Sequence, residues 1–564
     1  MLKKPLSPVP VPAVKGLKIY KNGYVYYASS QKWDKEKKRP VDNRRCIGKL
    51  DPDNEGCIIP NDTFYSIFPE LSDLQEQPVQ SDVLDYGTWT ALEAAAEKCG
   101  ILDALKSAYP DTYRSILAFA FYMISDQNST AQGFDAWHFS HYCDLSSPLS
   151  SQNLSRLFAR LGEDEGSVRE FLASYRENYM KNIPHTGKMV LAFDSSNQNT
   201  SSKRITMAEF GKAKVDEGLP DINEAMFVDE TTGINLFYES FYGSLLDKSE
   251  TPFTIEKAAD LGFQDLFLIM DRGYCSQGVV SAIEKQCSEE RTATSKMEFA
   301  VSCPSNLVFV KDMIKCQSSE IIDNEDCYIY AEEAYGKCYP YQAVFGGEYC
   351  LYLFYDPKRA AQEKGDIHAK VMGLMKTALK HVKYSKKLAD KYKEWLIITP
   401  LEEKNPSTGR NYTVQANKEK IQKEINKTGL FVVLSNAEMP AGEMLELMRK
   451  RDKSEKAFSQ LKDQLDMKKS GCHNQETFDG KTLVAFVALA IRLTYAWMIR
   501  DILASKSSMT VATALGELSK YRIYQKEDGG WYPRYAMTKM QKDIFKKMDL
   551  DEHQIVKMVT AIKG

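Results

Sequence analysis

The chain carries no excess of either charge. Its 74 Lys and Arg face 77 Asp and Glu, leaving a net charge of -3 over 564 residues. There is therefore no global pull toward nucleic acid, and any basic surface must be local. None of the 12 cysteines forms a Cys-x-x-Cys pair, which argues against a zinc ribbon. Scattered singly and preceded by no signal peptide, they read as reduced thiols of a cytosolic protein. The seven histidines never fall at His-x-x-x-His spacing, and His185 and His473 read as satisfied or solvent-facing side chains. A Walker loop and a Gly-x-Gly-x-x-Gly cradle are both missing, so nucleotide-driven chemistry is not expected. The best candidate for a membrane span, Thr482 to Ile499, is interrupted by Arg492 and flanked by Lys481 and Arg500. It reads as a buried amphipathic helix, with no membrane as partner. No internal repeat or long low-complexity tract is evident.

What is present describes a globular chain, with 43% hydrophobic and 27% charged residues. Its length exceeds what one core supports, so several domains are expected. Ile19-Tyr-Lys-Asn-Gly-Tyr-Val-Tyr-Tyr-Ala28 reads as a hairpin with an Asn-Gly turn. The basic stretch Lys32 to Arg45, with Trp33 inside it, could grip a DNA backbone or simply form a solvated face. Residues 81–185 carry period-3.6 apolar patterns and read as a helical DNA-binding or linker domain following a small β-rich module over 1–80. Ser150-Ser-Gln-Asn-Leu-Ser-Arg-Leu within them resembles a capped helix of helix-turn-helix kind.

From 186 to 304 strands and helices alternate in the order βββαβαβ, which suits a mixed sheet with helices packed on it. Residues 305–428 interrupt this pattern, β-rich at first and then a basic helical segment. There Tyr392 and Trp395 read as packing at a strand start. Gly429 to Ser435 is a strand leading back to a late helix, so the core resumes over 429–500. Residues 501–564 are mostly helical and could serve dimerisation. The fold class is α/β: a mixed-sheet core interrupted by a β-rich insertion, with helical N- and C-terminal regions and a small N-terminal β module.

Two aspartates end apolar runs that look like buried strands, Met189-Val-Leu-Ala-Phe-Asp194 and Leu266-Phe-Leu-Ile-Met-Asp271. On the late helix, Arg451, Glu455, Phe458 and Lys462 share one stripe beside the apolar face of Leu447, Leu461 and Leu465. Carboxylates suit magnesium, a hard ion that also takes water and phosphate, and two such ions could flank a phosphodiester. Asp194 would bridge them, while Asp271 and Glu455 would each hold one side. Arg451 and Lys462 would anchor neighbouring phosphates. Each residue alone has a plainer reading: Asp271-Arg-Gly-Tyr and Asp194-Ser-Ser-Asn as turns or caps, Arg451 with Glu455 as a surface pair.

These motifs together resemble the DDE transposases of bacterial insertion sequences. They are similar to the group with a Tyr-Arg-Glu-Lys signature and a β-rich insertion in an RNase H-like catalytic domain. The matching residues are Phe193-Asp194-Ser-Ser, Leu268-Ile-Met-Asp271-Arg-Gly-Tyr274, Asp221-Ile-Asn-Glu-Ala-Met-Phe-Val, Thr232-Gly-Ile-Asn-Leu, and Gly429 to Asn436 followed by Arg451, Glu455 and Lys462. The resemblance spans about residues 185 to 500. It implies an RNase H-like core with Asp194, Asp271 and Glu455 as catalytic residues and ligands of Mg2+, for which Mn2+ can substitute. Arg451, Lys462, Tyr274 and Arg272 become the expected DNA contacts. The implied partners are duplex DNA, as terminal inverted repeats and as target, and a second copy of the chain on paired ends. The implied reaction is cleavage followed by joining of the 3′-OH to target DNA, in a bacterial cytoplasm and at the nucleoid when DNA-bound. One departure stands out. The signature tyrosine is Met448 here, and methionine cannot donate a hydrogen bond to phosphate. Phosphate positioning at the transposon end is then either altered or supplied by another residue such as Tyr274. Two rival readings are a structure-specific nuclease on the same scaffold and a non-catalytic, transposase-derived DNA-binding protein.

Overall fold

A computed structural model describes residues 8–34, 38–68, 81, 83–145, 149–212, 216–288, 297–381, 383–405, 408–505, 508–526 and 529–562. The middle of the basic stretch expected over Lys32 to Arg45, residues 35–37, lies outside them, as does the end of the expected 1–80 module from residue 69. The chain divides into two units, Met1–Val79 and Gln80–Gly564.

The first unit is an antiparallel sheet of five strands, in the order Val9–Pro10, Cys57–Pro60, Arg39–Leu50, Tyr24–Asp34, Leu17–Ile19. Val25, Ile47, Ile58, Phe64 and Phe68 form its small core. The Asn22-Gly23 turn occurs as expected, because Gly23 takes the left-handed backbone (φ +81°) that closes the hairpin. Trp33 is 62% exposed.

In the second unit one apolar core runs from Leu84 to Val559, so the helical segments and the central sheet share their burial. At its centre the helix Gln475–Met498 is long and apolar enough to cross a membrane, and 78% of its most apolar window is buried inside the protein. It crosses the helix Ser151–Glu163 at two glycines. A Cβ on Gly162 would meet the Glu476 carbonyl at 2.0 Å, and one on Gly480 the Phe158 carbonyl at 1.9 Å. Only glycine permits that approach.

The central sheet has ten strands. Its middle is built from Met189–Thr200, Asp221–Asp229, Asn235–Tyr242, Leu266–Met270 and Glu298–Cys303. Numbered in chain order, these five lie side by side as 3-2-1-4-5. The first three pair antiparallel, and the fourth and fifth join in parallel. Leu266–Met270 is buried along its whole length, as a central parallel strand must be when both faces are covered. Leu430–Ser435 pairs antiparallel beyond the fifth strand.

The strands expected in a β-rich insertion extend this same sheet instead. Gly347–Tyr355 pairs with Leu430–Ser435, and Ala334–Val344 and Tyr328–Ile329 follow outward. The reason is burial: Tyr349 to Phe354 are all buried and need cover on both faces. The part that leaves the sheet is Pro357 to Thr428. It has its own small core of Val371, Leu388, Tyr392, Leu396 and Tyr412 and its own two-stranded ribbon, Leu396–Pro400 with Tyr412–Ala416. Tyr392 is buried there and Trp395 packs against it, in keeping with their reading as packing residues.

Candidate active site

The sheet order reverses at the strand Met189–Thr200. From there the chain first builds to one side and then crosses to the other, and such a switch point leaves a crevice at the carboxyl ends of the parallel strands. Phe193 pairs in register with Met270. The next residue on each strand is an aspartate, Asp194 and Asp271, so the two sit at the same level on neighbouring strands, with backbones about 4.8 Å apart.

The sequence suggested that the first strand ends at Asp194. It continues to Thr200, because its polar residues find buried partners. The Asn197 amide donates to Asp221 Oδ2 at 2.8 Å, Gln198 donates to Glu224, and Lys469–Ser470 pairs alongside Asn199 and Thr200. Asp194 thus marks the point where the parallel neighbour stops.

Asp194 Oδ1 accepts the Ser195 amide at 2.8 Å and the Tyr274 hydroxyl at 3.4 Å. The single proton of that hydroxyl is shared with Ser195 Oγ, which lies closer at 2.7 Å. The Tyr274 ring is buried edge-on against Phe193. Burial, then the Asp194 charge, pushes its hydroxyl far above the ordinary tyrosine range, so it stays a proton donor. Where the sequence led to an expected DNA contact, the structure places this side chain inward, buried beside Asp194. Asp271 caps the short turn Arg272–Tyr274, its Oδ1 accepting the Arg272 amide at 2.6 Å. The plain reading of this aspartate as a cap therefore holds as well. Arg272 is exposed beside it.

The late helix has a joint. Ala441–Lys450 and Asp452–Ser459 meet at Arg451, and a π turn, Gln460–Gln464, follows. Such turns recur at functional sites. Here the buried Arg492 pins it, donating to Gln460 Oε1 at 2.7 Å and Gln464 Oε1 at 3.1 Å. Ala457, Phe458, Leu461 and Leu465 form the buried face. Lys453 fastens the other side by donating to the Thr231 carbonyl at 3.0 Å. Met448 is buried among Met444 and Leu445.

Glu455 projects from this helix and is 63% exposed. Arg451 connects it to the strands: Nη1 donates to Asp271 Oδ1 at 2.7 Å, and Nη2 lies 3.5 Å from Glu455 Oε1. The three acids were expected to form one ion-holding pocket. Asp271 and Glu455 instead lie on either side of one guanidinium, with Asp194 beside Asp271. Among the described residues, no three His, Cys, Asp or Glu side chains stand close enough together to hold a metal ion. The physical reason is charge. Carboxylates brought together repel, and Arg451 supplies the counter-charge. Its expected role on DNA phosphate is thus occupied by protein acids in this state.

Lys462, the other expected phosphate anchor, is half-buried and acts on Glu224. Glu224 is fully buried; burial, opposed by the Gln198 hydrogen bond and the Lys462 charge, leaves its carboxyl pushed up to about 7. Nearby, burial would raise Asp229, but hydrogen bonds from His185, Tyr179, Thr231 and Thr232 hold it below the ordinary range. His185 meets Asp229 through Nε2 at 3.0 Å.

A cleft of about 300 Å3 opens beside Asp271, lined by Arg272, Ser302, Ser305, Arg359 and Arg451 among others. Sequence reasoning missed Arg359. It follows the helix cap Asp356 in a region that seemed remote from the acids. Its guanidinium lies 5.2 Å from the Phe431 ring centre and pairs with Glu363 at 2.7 Å.

No protein-family profile matches the chain, and no curated protein matches it. Solved structures similar to it include two transposase complexes. One is a piggyBac transposase synaptic complex with hairpin DNA, at 9% identity over 88% of this chain and 80% of that one, with a TM-score of 0.32. The other is a Mos1 transposase paired-end complex with left transposon end, at 12% identity over 40% of this chain and 64% of that one, with a TM-score of 0.13. Likenesses this distant carry no argument about the chemistry of this chain, which rests on its own residues.

Proposed function

We propose that this chain is a DDE transposase with an RNase H-like core, which cleaves DNA at the terminal inverted repeats of its element and joins the 3′-OH ends to target DNA. The observation that carries the reading is the pair Asp194 and Asp271, side by side at the switch point of a 3-2-1-4-5 mixed sheet, with Arg451 joining Asp271 to Glu455.

The donor set suits magnesium: Asp194, Asp271 and Glu455 offer hard carboxylate oxygens, which a hard divalent ion prefers. Divalent ions bound there supply an activated attacking oxygen and stabilise the leaving one. The protein does the rest. Tyr274 fixes the Asp194 carboxylate through its hydroxyl. Arg451 neutralises Asp271 and Glu455 in the DNA-free state, and a phosphodiester competing for its guanidinium frees both acids as substrate arrives. Arg272 and Arg359 line the adjoining cleft, where a planar guanidinium can hold phosphate oxygens. The protein works as a dimer on paired ends.

The test uses intact duplexes, to read cleavage, and pre-nicked duplexes, to read joining, each carrying a terminal inverted repeat of the proposed element. With Mg2+ or Mn2+ the wild type should join them to a target plasmid. Asp194→Asn, Asp271→Asn and Glu455→Gln should each abolish cleavage while end binding survives. Wild-type cleavage by any of the three overturns the assignment. Cleavage without joining favours the structure-specific nuclease, and binding with no cleavage favours a non-catalytic DNA-binding protein.

A further inference from the structure

The segment from Pro357 to Thr428, which leaves the central sheet, differs in charge from everything around it. It holds fifteen Lys and two Arg against eight Asp and Glu, a net of +9, in a chain whose total is -3. The remainder of the protein is therefore at -12. Within the segment the charge is concentrated further. Seven lysines fall between Lys376 and Lys393, where Asp390 is the single acid.

All seven are exposed, and none is ion-paired with a carboxylate among the described residues. Lysines elsewhere in the segment behave otherwise: Lys420 and Lys427 pair with Glu424, and Lys423 with Glu419. An ordinary solvated helix interleaves its charges in that second manner, because like charges four apart repel. On the helix Lys386–Tyr392, Lys387 and Lys391 are such a pair, and the one acid on that helix, Asp390, forms no ion pair with either among the described residues.

The lysine-bearing turn is also rigidly supported from beneath. It joins the end of the helix Pro357–Ala378 to the start of Lys386–Tyr392. Arg410 donates to the Leu379 carbonyl from Nε at 3.1 Å and from Nη2 at 2.7 Å. The Tyr412 hydroxyl lies 2.8 Å from the Ala378 carbonyl and 2.7 Å from that of His381. The Asn411 side chain accepts the Tyr384 amide at 2.6 Å. Arg410, Asn411 and Tyr412, at the entry to the ribbon, thus hold the Ala378, Leu379 and His381 carbonyls and the Tyr384 amide, while the lysines beside them stay exposed.

We infer that this turn, Lys376 to Lys393, is a docking surface for the phosphate backbone of duplex DNA. It holds DNA away from the acids, as a sequence-independent grip. The choice of DNA over an acidic protein rests on the proposed strand-transfer reading, and the test separates the two. DNA carries one charge per roughly 1.7 Å of axis, which matches lysines spread over a turn and a short helix.

The experiment measures binding of a labelled 40-base-pair duplex to the full-length protein by fluorescence anisotropy, across a salt series. A variant with Lys380→Gln, Lys383→Gln, Lys386→Gln and Lys387→Gln should bind on the order of 10- to 100-fold more weakly at 0.1 M salt. Its slope of log affinity against log salt should be shallower by about 3 to 4. The same four positions changed to arginine should keep the wild-type slope, which separates lost charge from lost fold. A wild-type slope in the glutamine variant, or an arginine variant as weak as the glutamine one, overturns the inference and leaves the proposed reaction standing. Failure of the wild type to bind duplex overturns both. Competition by polyglutamate as potent as by DNA would reassign the surface to an acidic protein.

Discussion

Replacing Arg451 with glutamine should make the DNA-free protein bind divalent cations more tightly. Arg451 is the counter-charge between Asp271 and Glu455, and a cation entering the site has to displace it. Its bond to Asp271, at 2.7 Å, is charge-assisted. In a buried setting such a bond contributes about 1.5–3 kcal/mol, whereas an exposed ion pair contributes about 0–1 kcal/mol. The two side chains are 23% and 43% exposed, between those limits, so solvent screening brings the figure to about 1–2 kcal/mol. The Glu455 contact, longer at 3.5 Å and to a side chain 63% exposed, adds little. Removing the guanidinium should therefore tighten Mn2+ binding roughly 5- to 30-fold. Electron paramagnetic resonance of free Mn2+ during a titration without DNA reads this directly, and DNA cleavage by the same variant should fall because a phosphate anchor is lost. Equal or weaker Mn2+ binding by Arg451→Gln would refute the idea that Arg451 guards the acids.

Two further outcomes follow from the surrounding structure. Because burial raises Glu224 from 4.5 to about 7, the folded protein holds this proton more tightly than the unfolded chain. The associated stability is complete below about pH 4.5 and is lost as pH rises through about 7. Glu224→Gln should accordingly match the wild type at pH 4 and exceed it by about 3 kcal/mol above pH 8, read from urea unfolding at each pH; equal stability at both would contradict the assignment. Gly480→Ala forces a Cβ to within 1.9 Å of the Phe158 carbonyl and should cost roughly 3 kcal/mol in the same assay, since the helices must part. An unchanged midpoint would mean that the two helices do not cross there.

The acids could be found in the sequence because each aspartate follows an uninterrupted apolar run, and a buried strand ending in a charge is a strong local pattern. Their side-by-side register could not, since it depends on which strands pair. Asp194-Ser-Ser-Asn reads as a turn until Asp221 and Glu224 appear opposite to take the polar side chains that follow. Strands at Ala334–Val344 and Gly347–Tyr355 carry clear strand patterns, but only pairing with Leu430–Ser435 makes them part of the central sheet. Tyr274 looked like a free donor because nothing near it in sequence reports that Phe193 covers its ring. Arg451 was assigned to phosphate because helical spacing gives its face but not its partner across 180 residues, Asp271.

The most direct test of the account is to locate Mn2+ by anomalous scattering in crystals of the protein bound to its own inverted-repeat DNA. The account predicts density between Asp194 and Asp271, with Glu455 turned toward it and Arg451 moved onto a DNA phosphate. A complex in which Arg451 still joins Asp271 to Glu455, with Mn2+ bound elsewhere or not at all, would contradict it.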